Sequence, residues 1–151
     1  MTPPIAANPK SDRQIWMGLL ARADATDLAE LFPDLPDHSP LRPPQVGAVM
    51  VRGRIGAIGQ PFNLGEITVS RCSIKLATGE VGHAHVQGRC KHHALRAAVI
   101  DALMQTDRAD DLRAQVLAPL AKSEAAHRAI RAAKAAATRV EFFTLVRGED
   151  P

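Results

Sequence analysis

The chain has 151 residues, 46% of them apolar but only 3% aromatic, with no Tyr, one Trp and a net charge of +3. That length suits one domain with an ordinary core, which must be thin and built from Ala, Leu, Val and Ile. The charge falls short of the dense basic stripe of a nucleic-acid binder, and two cysteines make no disulfide framework. No window approaches the ~20 apolar residues of a membrane span, and the opening MTPPIAANPKSDRQ lacks an apolar signal core, so the expected location is the cytoplasm.

Residues 1–11 carry Pro3, Pro4 and Pro9 and are expected to be a flexible tail; residues 12–150 are expected to form a single α+β domain. Asp12 is the expected cap of a first helix to about Ala23, with Ile15, Trp16, Leu19, Leu20 and Ala23 on one stripe and Arg13 and Arg22 outside it. Asp24 or Thr26 starts a second, short helix that Pro33 ends. Residues 33–44 hold five prolines and predict an extended, irregular connector, either a surface linker or an arm laid on a neighbouring chain.

Gln45–Arg54 and Glu66–Leu76 read as strands separated by a long glycine-rich turn. That turn lacks the order and the following helix of a phosphate-binding loop. In the second strand the apolar set switches from Ile67 and Val69 to Cys72, Ile74 and Leu76, which predicts a bulge near Ser70 or Arg71. Ala77–Glu80 supplies a hairpin turn into a third strand with Val81, His83, His85 and Gln87 on one face and Gly82, Ala84 and Val86 on the other. A long helix begins near His92 with Leu95, Val99, Ala102 and Leu103 on one face. A broken helix ending at Pro119, an Ala-rich helix over 121–138 and a last strand over Thr138–Val146 complete the order. The expected architecture is a mainly antiparallel sheet of about four strands with helices on one side.

The strand–turn–helix over Glu80–Gln105 carries the chemistry. Gly88 frees the backbone, Arg89 and Lys91 supply fixed positive charge, and the first amides of the following helix have no intrahelical partner. Gln87, Gly88, Arg89, Lys91 and His92 are therefore the candidate anion-binding or interface residues, with a solvated turn as the plain alternative. Catalytic residues are not assigned, because no nucleophile–base set and no acid–base pair is recognisable; Asp101, Asp110, Asp111 and Glu124 read as helix-surface charges. His83, His85 and Cys90 are the residues a metal would use, but no recognised zinc spacing is present and no metal is assigned. An alternative reading is an autonomous small phosphoryl-ligand enzyme using Arg89, Lys91 and His92.

The runs VQGRCKHHALRAAVIDALMQ, NLGEITVSRCSIKLATGEVGHAHVQGR and TRVEFFTLVRGED, together with RQIWMGLLARAD near the start, occur in an order that resembles PhnG, the G subunit of the bacterial carbon–phosphorus lyase core complex. The similarity spans about Arg13 to Asp150. It implies an accessory, noncatalytic or cocatalytic subunit whose partners are the H, I and J subunits. It also implies that the complex transfers an alkylphosphonate to the ribose of ATP with release of adenine. ATP and phosphonate would be bound by the complex, the iron–sulfur cluster and S-adenosylmethionine by a partner subunit, and no cofactor by this one. A thin core and a proline-rich arm suit a chain that completes its burial against partners; alone, a homodimer through an exposed sheet edge or an apolar face is expected. No nucleic acid and no membrane enter this reading.

Overall fold

The computed structural model describes residues 10–56 and 58–139. Helices α1 (Asp12–Arg22) and α2 (Ala25–Leu31) lead into strands β1 (His38–Arg54), β2 (Pro61–Leu76) and β3 (Val81–Gln87). Helix α3 (Lys91–Leu103), the single turn α4 (Ala109–Leu112), a π-helical segment at Arg113–Leu117 and α5 (Ala118–Ala137) follow. The strands form one antiparallel sheet in the order β1-β2-β3. The α+β class and antiparallel sheet are as expected, but the described residues contain three strands. All but the first two residues of the expected last strand, and most of the expected tail, lie outside the described residues.

Helix α3 packs against β2 and β3. Gly82, Ala84 and Val86 of β3, with Ser70, Cys72, Ile74 and Leu76 of β2, turn one sheet face towards it and are buried. Gly82 is what allows this distance: a Cβ there would sit 1.9 Å from the carbonyl oxygen of Ala98 and 2.7 Å from the amide of Ala102. Small residues on the helix side, Ala94, Ala97, Ala98 and Ala102, complete the close approach. The α3 stripe expected from periodicity is too narrow, since His93, Ala94 and Ala97–Leu103 are all buried. Helices α1 and α2 and the α4–α5 region close over α3 through Leu20, Leu28, Phe32, Leu112, Val116 and Leu120.

The connector at 33–44 is half strand. Pro40, Pro43 and Pro44 lie within β1, which is an edge strand, and an edge tolerates residues that donate no ladder hydrogen bond. The cost is irregular register, with shifts between Pro40 and Arg42 and between Arg42 and Gln45. The expected bulge on β2 is absent from the ladder to β3, which runs unbroken from Val69↔Gln87 to Lys75↔Val81. The two apolar phases of β2 are its two faces: Cys72, Ile74 and Leu76 face the helices, while Val69 and Ile67 face the other way. Both phases are real because β1 and β2 run on past β3 as a two-stranded ribbon with apolar residues on each side.

Three further expectations change. Ser11 caps α1, not Asp12: its Oγ accepts from the Gln14 amide and the Gln14 side chain accepts from the Ser11 amide, a reciprocal capping box. Ile15 faces solvent, whereas Arg13 reaches inward. Pro119 does not end a helix but sits in the first turn of α5, and the π-helical turn just before it spaces the backbone around the residue that has no N–H.

Candidate functional site

The turn between β3 and α3 is held from beneath. Gly88 has φ +98°, a conformation open to glycine, and its N–H donates to the Thr68 carbonyl at 2.9 Å. The Gly88 carbonyl accepts from Ser70 Oγ at 2.8 Å, which satisfies a fully buried hydroxyl. Helix α3 then opens at Lys91, with Cys90 as N-cap making no side-chain hydrogen bond and no acid in the first turn. Gln87, Arg89, Cys90, Lys91 and His92 are exposed. The next residue, His93, is buried with Nε2 2.7 Å from the Leu20 carbonyl, tying α3 to α1. A rigid support thus presents a cationic, exposed turn at a helix N-terminus.

Beside it runs a groove of about 860 Å³, bounded by Gln87, Gly88 and His93, by the α1–α2 junction and by α5. The groove divides the expected site. Gln87 and Gly88 line it; Arg89, Lys91 and His92 do not. Three of its charged side chains are engaged: Arg22 Nε donates to Glu124 Oε1 at 2.7 Å, and Asp24 caps α2 by accepting from the amides of Thr26 and Asp27. The Arg22 hydrogen bond holds the Glu124 carboxyl below its ordinary range, and the two amides do the same for Asp24. Neither carboxylate keeps a proton near neutrality, so neither suits a general acid.

The metal candidates do not converge. His83 and His85 are exposed on the sheet face away from α3, and His83 Nδ1 lies 2.9 Å from Ser73 Oγ. Among the described residues no group of three or more His, Cys, Asp or Glu side chains is placed to hold a metal ion. Cys90 is exposed and Cys72 buried, both free; burial pushes the Cys72 thiol up, away from thiolate.

Asp101 is a correction. It is not a surface charge but is 0% exposed, the one fully buried carboxylate among the described residues. It accepts from Arg13 Nε at 3.1 Å, Arg13 Nη2 at 2.7 Å, Trp16 Nε1 at 2.9 Å and the His83 amide at 2.9 Å. Arg13 Nη2 and Gln105 Nε2 both donate to the Val81 carbonyl. This cluster joins α1, α3 and β3 and occupies backbone groups along the outer edge of β3. Its signal in the sequence is an acid with apolar neighbours on both sides, Ala97–Ile100 before it and Ala102–Met104 after it.

The described residues thus form an α+β domain with a β1 strand at the sheet edge and exposed apolar side chains along the β1–β2 ribbon. The family model described as phosphonate metabolism protein PhnG matches residues 11–148, and the chain belongs to that family. It is 48% identical over 147 residues to the alpha-D-ribose 1-methylphosphonate 5-triphosphate synthase subunit PhnG of Rhizobium meliloti (strain 1021), an alignment covering 93% of this chain and 92% of the relative.

Proposed function

We propose that this chain is an accessory subunit of an alpha-D-ribose 1-methylphosphonate 5-triphosphate synthase, in a complex that transfers a phosphonate to the ribose of ATP and releases adenine. The observation that carries this reading is near-full-length similarity to a relative named as that subunit. The partners are the H, I and J subunits; ATP and phosphonate bind to the complex, and an iron–sulfur cluster with S-adenosylmethionine belongs to a partner. The exposed turn at Gln87–His92 is the surface that borders a neighbouring chain or an anion held by it, through Gln87, Gly88, Arg89, Lys91 and His92.

Co-expression with the H, I and J subunits tests the reading. The chain is expected to co-purify at fixed stoichiometry, and omitting it is expected to abolish phosphonate-dependent release of adenine from ATP. Full activity without the chain, or turnover by the chain alone, would overturn the assignment. Arg89→Glu is expected to weaken assembly or activity; normal values of both would remove the turn from the site.

A further inference from the structure

We infer that the ribbon formed by β1 and β2 beyond β3 is a docking arm that receives an extended, acidic and apolar segment of a partner subunit along the Gln45–Arg54 edge of β1. This rests on the accessory-subunit reading and deepens it by naming the surface and the chemistry of what covers it.

The sheet has two unlike edges. The β3 edge is short and occupied at its Val81–His83 end, where Asp101 accepts from the His83 amide while Arg13 and Gln105 donate to the Val81 carbonyl. The β1 edge is 17 residues long and, among the described residues, pairs on one side only, which leaves a row of backbone donors and acceptors for another strand. Pro40, Pro43 and Pro44 have no N–H to offer, so a full ladder is available only from Gln45 onward. Beyond Val69, β2 has no β3 residue opposite it, and among the described residues the ribbon continues as two strands. An isolated two-stranded ribbon is marginal in water. This one also keeps Met50 and Leu64 half or more exposed, at 51% and 67%, and Ile55 and Ile58 exposed at its tip.

Charge selects the occupant. Between Ser39 and Ile67 the cations are Arg42, Arg52 and Arg54, and Glu66 is the one acid. A second copy would set two cationic edges together, whereas an acidic strand with alternating apolar residues matches both the ladder and the charge. The Arg54 guanidinium donates within the ribbon to the Gly59 carbonyl at 3.0 Å and Arg42 lies outside Gln45–Arg54, so Arg52 is the cation on that edge to read an acid on the incoming strand.

The test uses the full chain co-expressed with the H, I and J subunits. Met50→Asp and Arg52→Glu, both at exposed positions, are expected to leave the isolated chain folded by circular dichroism while reducing its recovery in the complex about tenfold or more. In the parent complex, amides of Gln45–Arg54 are expected to exchange with deuterium far more slowly than in the free chain. Native assembly by both variants with unprotected β1 amides would overturn the docking arm while leaving the subunit reading intact. Failure of the parent chain to join any complex would overturn the subunit reading and the arm with it. A free-chain dimer dispersed by Met50→Asp, with the complex unaffected, would assign the edge to a second copy instead.

Discussion

Asp101 controls more of the molecule than any other side chain described. A buried carboxylate survives only when its hydrogen-bonding capacity is filled, and here an arginine, an indole and a backbone amide fill it. Asp101→Ala would leave the Trp16 indole and the His83 amide without their acceptor, while Arg13, 38% exposed, keeps the Val81 carbonyl; the expected loss is about 2–3 kcal/mol, read from urea denaturation. Arg13→Ala and the double variant should show strong non-additivity in the same measurement, because both act through one cluster. Asp24 makes a pH-dependent contribution of known sign. Its folded-state pKa is lowered by the Thr26 and Asp27 amides, so its stabilisation is complete above the ordinary carboxylate range and is lost as pH falls through the folded value. Asp24→Asn keeps a cap acceptor that does not titrate; its urea midpoint is expected to fall less than that of the parent between about pH 7 and about pH 3.

At the scale of elements, the packing of α3 on β3 depends on the side chain that Gly82 lacks. Gly82→Ala places a methyl group 1.9 Å from a helix carbonyl, and backbone on both sides gives it no room. The helix must lift or β3 must shift, so destabilisation of about 3 kcal/mol or more is expected by thermal or urea melting. Gly88→Ala is a different case. Nothing lies within 4 Å of the added carbon, and only the positive φ opposes it, so a smaller loss of about 1–2 kcal/mol is expected in the same assay. Both glycines fall within the strand–turn–helix expected from the sequence, and the positive φ at Gly88 matches the backbone freedom expected there. The role of Gly82 was not legible, because the atoms it makes room for belong to a helix 16 to 20 residues further on.

The whole molecule is unevenly covered. One sheet face is closed by helices and the Val81–His83 end of the β3 edge by the Asp101 cluster, while the β1–β2 ribbon and most of α5 face solvent. Such a chain gains stability when partners bury those surfaces. The melting temperature of the chain within its complex is accordingly expected to exceed that of the isolated chain, as measured by differential scanning calorimetry; equal values would show that assembly adds no burial that matters to folding. Within the groove Arg22 and Glu124 already pair with each other, so the long β1 edge, with its exposed apolar side chains, accounts for that expectation better.

The sequence by itself determined the α+β class, the β2–β3 hairpin with its alternating faces, the Gly88 turn and the family, because each rests on local periodicity, turn chemistry or ordered motifs within the chain. It also made the cationic turn legible as an exposed cluster. Only the tertiary structure decided that Arg13 and Asp101, 88 residues apart, form a buried pair, and that Gln87 and Gly88 line a groove which Arg89, Lys91 and His92 do not reach. It likewise turned the proline-rich connector into an edge strand. The reason is common to all three: burial, pairing and edge position are properties of what lies opposite a residue in space, and neighbours in the chain do not specify them.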